Sequence, residues 1–597
     1  MTLETIPTQP STAPATAARS AVTAAAPPDP VAVGSAAEIV RGYAEGVFTR
    51  GSQPMIPAGF KPDWVDAPSK YKTYPDVPRL AAPRWSGSRL GRLPELLAAS
   101  DPGHTDTGDA TGPDGSPWRA NEVSALAALA YGVRDRRLTP NWNQDLPDRL
   151  RFPGAIWGRA TTSGGGMYPL EIYWVVGPGS PVRPGVYHYH TGHHAWQQLA
   201  SGDHTAPVRS ACLGAPDAER AGQYLVVTSR FWKNSFKYHN FCLHVVTQDL
   251  GALLGSWHLI ARGLGHRLRP VLWFADEPIN ERLGLRTEEE SVLAVVPLTG
   301  GDPPPQPAAL PADDVRAVAF ERSRRLLRLD RLIEVHRATL VTEDQPRPAT
   351  LPAPAEPAQS AASAEQALPL PELPDRRWQA DLTEILAQRR SSFGRFSRSR
   401  RLDAAELGGI LSTTAAARHF PDDLAGPPDR SPLTRLHVLV NDVAGVEAGS
   451  YTFDSDAGLL TPHQIAPMTR ILQRAYFLKN YNLEQVGAVL AISARFDAAM
   501  THYGPRGYRL VNIEAGAVAQ VAYLAAAALG VGCGAVLGLD NEILDEALGL
   551  TGTPLRTVLF VLLGYDRADT GTFAYPVLPA AAVPQAGTDT ATAGRIS

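Results

Sequence analysis

The chain contains one pattern twice, and each copy has kept a piece that the other lacks. Residues 237–251, KYHNFCLHVVTQDLG, align without a gap to residues 502–516, HYGPRGYRLVNIEAG. Tyr238 and Tyr503, Gly251 and Gly516, Gly265 and Gly530, and the LGL triplets at 283–285 and 548–550 all stand 265 residues apart (503 − 238). A constant offset over that much chain marks a repeated structural unit. Upstream, RRSSFGRF (389–396) has no counterpart in the first copy, where LPELLA (93–98) runs on into ASDPGHTDTG. Conversely, RATTSGGGMYPLEIY (159–173) corresponds to LAGPPDRSPLTRLHV (424–438) in the second copy. Complementary losses of this kind predict one composite site between two halves.

At 597 residues the chain is too long for a single core. Its 44% hydrophobic and 19% charged residues describe a soluble globular protein, and 56 basic against 60 acidic residues leave no bias towards nucleic acid. Cys212, Cys242 and Cys533 are widely spaced, so neither a disulfide framework nor a thiolate zinc site is expected, and a reducing cytoplasm is the default. The N-terminus lacks the basic-then-apolar order of a secretory signal. The apolar run at 518–539 is interrupted by glycines and reads as a buried core helix, with no membrane span expected.

Composition divides the chain into a disordered Pro/Ala/Thr arm (1–36), an extended Pro/aromatic segment wrapping the body (37–92), a first α+β domain (93–302), a connecting helix (313–342), a Pro/Ala/Gln/Ser linker (343–372), a second α+β domain (373–577) and a disordered tail (578–597). VLAVVPL (292–298) and VLFVLLG (558–564) read as buried strands. LEIYWVV with GVYHYH, and LHVLVNDVAGVEAGSYTFD, read as hairpins. The connecting helix is expected over 315–340 from apolar residues at roughly helical spacing with arginines between them.

Four segments carry candidate chemistry. Arg389, Arg390 and Arg395 cluster with Ser391, and guanidinium groups match phosphate oxygens while a hydroxyl suits a polyol; a solvated basic turn is the alternative. Thr162, Ser163, Gly164 and Gly165 open a glycine run that permits close backbone approach to a flat ligand, or forms a flexible turn. Leu537 and Gly538 end a glycine-interrupted apolar segment (529–540) that lacks dinucleotide spacing. Lys237 and Tyr238, matched by His502 and Tyr503, either move a proton or sit half-buried at a helix boundary. His188, His190 and His193 have no carboxylate or cysteine beside them in sequence, and no metal site is expected.

These residues resemble the nitroreductase-like flavoproteins, and within them the SagB-type dehydrogenases that oxidise azolines in ribosomally made peptides. The landmarks are RRS at 389–391, SGG followed by YPLEIY at 163–173, IEAGAVAQVAYLAAAALGVG at 513–532, and a lead-in ending in YKTYP at 71–75. The resemblance covers about residues 60–300 and 375–570. It implies a nitroreductase-like α+β fold duplicated in tandem as an intramolecular pseudo-dimer, with one FMN per chain. Arg389, Arg390, Ser391 and Arg395 with Leu537 and Gly538 would hold the flavin from the second half, and Thr162, Ser163, Gly164 and Gly165 from the first. The usual pattern reads RRSxR; here position 393 is Phe, with Arg395 two residues later. Lys237 and Tyr238 match the catalytic Lys-Tyr pair, which implies proton removal from the azoline ring carbon, hydride transfer to flavin and reoxidation by dioxygen. The implied partners are a modified precursor peptide and a cyclodehydratase complex, and the chain would be a monomeric pseudo-dimer or a higher homo-oligomer. Two rival readings are an FMN-dependent nitroreductase or ene-type reductase using NAD(P)H, and a peptide-binding scaffold whose flavin site has decayed.

Overall fold

Both expected hairpins form, because alternating and continuous apolar runs pair where turn residues end them. Leu170–Val176 pairs antiparallel with Gly185–His190, and Thr434–Val440 with Gly449–Asp454. The computed structural model describes residues 33–98, 117–138, 156–300, 312–352, 366–424, 431–567 and 573–577, apart from positions 86, 88, 181, 393, 479 and 480. The first sheet is ordered Arg79–Ala81, Ala195–Ser201, Gly185–His190, Leu170–Val176, Gln223–Arg230, Glu290–Pro297. The second repeats that order with Leu368–Pro369, Leu459–Ile465, Gly449–Asp454, Thr434–Val440, Ala488–Ala494 and Arg556–Asp566. Phe396–Ser397 and Gly532–Val536 then add to the outer side of the last strand. In the first half the matching position keeps a single bridge, Val271 to Val295, 265 residues before Val536 and Phe560 (536 − 271).

Two helices of 22 residues, Cys242–Gly263 and Gly507–Ala528, form the centre and carry the repeat seen in sequence. They cross at Gly251 and Gly516. A side-chain carbon on Gly251 would run into the Ile513 carbonyl, and one on Gly516 into the Gln248 carbonyl. Glycine inside a helix ordinarily costs about 0.5–1 kcal/mol relative to alanine, and here close backbone packing offsets that cost. The stretch Phe496–Ala528 has the length and hydropathy of a membrane span, yet 94% of its most apolar window is buried in the protein, as a core helix requires.

Two sequence expectations need correction. Val33–Phe48 is an α-helix rather than arm and extended segment; its buried Val40, Tyr43 and Val47 recur at helical spacing and pack on the junction of the halves. The connecting helix is confined to Asp330–Ala338. Residues 312–329 run extended because tertiary partners take their amides: Phe320 N donates to Thr73 O, and Arg324 N and Arg325 N donate to the Asp66 carboxylate. The C-terminal strand Phe573–Pro576 returns to the first half and pairs with Asp135–Leu138, which pairs in turn with Ile156–Gly158. Residues 1–32 of the arm, 99–116, 353–365 of the linker and the tail 578–597 lie outside the described residues.

Candidate functional site

The glycine run sits at the N-terminal end of Leu170–Val176, where buried groups from both core helices fix it. Asp249, on the first core helix, accepts from Ser163 Oγ at 2.6 Å and Gly164 N at 2.8 Å. Gln520, on the second, accepts from Thr162 N at 3.0 Å and donates to Ala160 O at 3.2 Å. Burial raises the Asp249 carboxyl to about 7 even though both of its hydrogen bonds favour the charged form. Gly165 adopts φ 58°, a region that favours glycine. A side-chain carbon there would lie 2.7 Å from Tyr238 Oη and 2.9 Å from Lys237 Nζ. The half-buried Lys237 and Tyr238 end the helix Phe231–Tyr238, so the structure brings this pair against the glycine turn expected to face a ligand.

One turn along from Gln520, Tyr523 ties in the second half. Its hydroxyl lies 3.0 Å from Ser391 Oγ and accepts from Ala535 N at 2.5 Å, so one helix face joins the 160–162 segment, Ser391 and the Gly532–Val536 strand. Arg389 is buried, donates from Nη2 to Arg159 O at 2.8 Å, and keeps its Nε and Nη1 without a hydrogen-bond partner. Ser392 Oγ is also buried and unpartnered. Burial lowers the Arg389 guanidinium from its ordinary value. A buried cation with open donors, on a loop that also carries the open Ser392 hydroxyl, fits a phosphate ester. Arg390 is exposed. Arg395 turns back on its own loop, donating from Nε to Ser392 O at 2.9 Å with Asp566 Oδ2 3.8 Å from its Nη2. Leu537 and Gly538 lie further along: the Leu537 carbonyl accepts from Arg50, and the Gly538 carbonyl accepts from Phe477 N at 2.9 Å. The Arg50 guanidinium packs 5.1 Å from the Phe241 ring, whose centroid is 6.3 Å from that of Tyr238.

The pseudo-equivalent region is built differently. Glu514, 265 residues after Asp249 (514 − 249), holds Leu433 N and Thr434 N at 3.0 and 2.8 Å, repeating the carboxylate clamp. Trp273 stands where Gly538 stands in the other half, and the Phe420 ring stacks on His258 with centroids 4.7 Å apart. The Tyr503 hydroxyl accepts from Leu351 N at 3.2 Å and His502 Nε2 lies 2.7 Å from Ala349 O, so the second pair is engaged by residues 349–351. Aromatic side chains and a connecting segment thus crowd this region, and a cavity bounded by His258, Leu272, Phe420 and Glu514 remains in it.

Sequence reasoning missed Asp249, Gln520, Tyr523 and Arg159. Asp249 alone carried a usable signal, since the repeat aligns it with another carboxylate, Glu514. His188 is not without a carboxylate, as its sequence neighbours suggested: across the sheet its Nε2 lies 3.0 Å from Glu171 Oε2. Among the described residues no group of three His, Cys, Asp or Glu side chains is placed to hold a metal.

Residues 386–565 match the family described as the Nitroreductase family. Two relatives are each named a putative nitroreductase. One, from Methanocaldococcus jannaschii, is 36% identical over 121 residues, which is 20% of this chain and 60% of that protein, so the chain spans less than two thirds of this curated relative. The other, a crystal structure from Anabaena variabilis, aligns with a TM-score of 0.65 at 21% identity, over 89% of this chain and 99% of that one. A chain of the E. coli microcin synthetase McbBCD complex with truncated pro-MccB17 bound aligns over 36% of this chain and 79% of that one, at 15% identity and a TM-score of 0.26. The family match falls on the half that carries Arg389, Ser391 and the Gly532–Val536 strand, and the Anabaena structure extends the likeness over both halves: the chain has a nitroreductase-like fold.

Proposed function

We propose that the chain is an FMN-dependent oxidoreductase that dehydrogenates thiazoline or oxazoline rings in a modified peptide, built as two nitroreductase-like units in an intramolecular pseudo-dimer with one flavin site. The observation that carries this reading is the placement of Lys237 and Tyr238 against Gly165, on a turn fixed by both core helices. Arg389, with open buried donors, and Ser391 would hold the phosphate and ribityl chain; Ser163, Gly164 and Gly165 would lie along the ring. When bound, FMN supplies the two-electron acceptor. The chain orients the ring carbon and moves its proton: Lys237 Nζ lies 5.7 Å from the Tyr238 ring centroid, so the base would be whichever of the pair is deprotonated, the Lys237 amine or a Tyr238 phenolate held beside the Lys237 ammonium. Asp249 and Gln520 bind no substrate in this scheme and keep the turn in register.

The test is a thiazoline-bearing peptide under air, followed by the loss of about 2 Da, two hydrogens, for each ring oxidised. Lys237→Ala and Tyr238→Phe should stay folded and yellow while the rate falls ~10²–10⁴-fold, the usual worth of acid–base assistance. His502→Ala should cost far less, because His502 is engaged by Ala349. Full rate in the Lys237 and Tyr238 variants with loss in the His502 variant would show the active half-site to be the other one. Reduction of nitroaromatics by a nicotinamide donor with no azoline oxidation would replace the dehydrogenase reading with a reductase.

A further inference from the structure

The Asp135–Leu138 strand is the middle strand of a small sheet joining three distant parts of the chain, with Ile156–Gly158 on one side and the C-terminal Phe573–Pro576 on the other. Its Arg137 is opposite both Ile156 and Ala574 and is only 8% exposed. The Arg137 Nη2 lies 2.6 Å from where a side-chain carbon on Gly158 would stand, and the next residue, Arg159, offers the carbonyl that receives Arg389 Nη2. Guanidinium groups from the two halves therefore converge on the same two residues of backbone. Burial, and after it repulsion that includes Arg137, lowers both Arg389 and Arg395. Two carboxylates stand against these three guanidinium groups: Asp135 pairs with Arg137, 2.9 Å from its Nε, and accepts from Gly158 N, and Asp566 lies 3.8 Å from Arg395 Nη2. Neither bonds to Arg389 Nε or Nη1, which remain open. Cations gathered from separate elements under burial, with a surplus over carboxylates, suit a dianion rather than one another.

We propose that Arg137 is a phosphate-binding residue of the flavin site, supplied by the first half to the anion pocket of the second and held in place by the C-terminal strand. The proposal rests on the FMN reading and adds a residue to it. It also assigns a task to Phe573–Pro576: by pairing with the Arg137 strand, with Val577 N donating to Arg134 O at 2.9 Å, this strand fixes a cation that the first half alone would leave on a sheet edge.

FMN and riboflavin differ by the phosphate, so the test titrates flavin-stripped full-length protein with each and follows flavin fluorescence. Wild type should bind FMN more tightly than riboflavin. Arg137→Gln should weaken FMN about tenfold while riboflavin affinity holds, and Arg137→Lys, which keeps the charge, should recover part of the difference. Tyr575→Pro removes the ladder donor that faces Arg136, next to Arg137 on the same strand, without touching the pocket, and should give the same phosphate-selective loss to a smaller degree. An unchanged FMN-to-riboflavin ratio in Arg137→Gln, with that ratio collapsing in Arg389→Ala, would overturn the assignment and leave the FMN reading intact. Equal weakening of both flavins would reduce Arg137 to a structural part and overturn it equally. A wild type that binds neither flavin would remove the cofactor reading and this inference with it.

Discussion

Replacing Asp249 with asparagine tests the clamp on the glycine turn through its pH dependence. The carboxyl is 5% exposed, and burial raises it from 3.8 to about 7 against the pull of Ser163 Oγ and Gly164 N. Between those values the folded protein keeps a proton that the unfolded chain gives up, so Asp249 makes stability fall as pH rises through the window, and the contribution is level above it. Each unit is worth about 1.4 kcal/mol, so integration from pH 5 to pH 8 gives a loss of about 3 kcal/mol from this one group. Asparagine has no charge to bury and can still accept from Gly164 N, though Ser163 must then take a donor in place of an acceptor. Urea denaturation of flavin-stripped wild type and Asp249→Asn at both pH values isolates the difference, because the other titrating groups are common to both. The variant should gain on wild type as pH rises, by roughly 3 kcal/mol over the range. A gap that stays constant between pH 5 and pH 8 would mean that Asp249 is ionised throughout, and that the turn is held by an ordinary carboxylate.

Two further outcomes follow from the helix crossing and from the composite site. Gly516→Ala should lower stability by about 1–3 kcal/mol, as overpacking does, because the added carbon overlaps the Gln248 carbonyl. Gly46→Ala, within the Val33–Phe48 helix and with open space around it, should raise stability by up to about 1 kcal/mol; equal effects at both positions in a denaturant midpoint would contradict the close crossing. Arg389→Ala should weaken FMN by roughly ten- to hundredfold, as expected for losing a charge-assisted bond worth ~1.5–3 kcal/mol. Ser163→Ala should weaken it less and shift the flavin absorption spectrum. If Ser163→Ala changed neither affinity nor spectrum while Arg389→Ala abolished binding, the two halves would not share one flavin.

What the sequence made legible depends on how local the cause is. The 265-residue offset is visible because both core helices cross at glycine, and a glycine required by backbone contact cannot drift. Arg389 and Ser163 stand out in the sequence because each belongs to a short motif with its own chemistry. Asp249 and Gln520 do not, because each looks like an ordinary polar residue within a helix and acquires its task only when a segment from elsewhere arrives beside it. The extended course of residues 312–329 escaped for the same reason: side-chain spacing suggested a helix, but Thr73 and Asp66, distant in sequence, take amides that helical bonds would otherwise use. The asymmetry of the halves also has a physical cause. In the other half, Trp273 at the Gly538 position, Phe420 stacked on His258, and Leu351 bonded to Tyr503 narrow the equivalent region to a cavity bounded by His258, Leu272, Phe420 and Glu514. Burying those apolar surfaces stabilises the junction between the halves, and a stiffer junction holds Gln520 and Asp249 to the remaining turn. The narrowed half thus serves as the support against which the other half keeps Lys237 and Tyr238 beside Gly165.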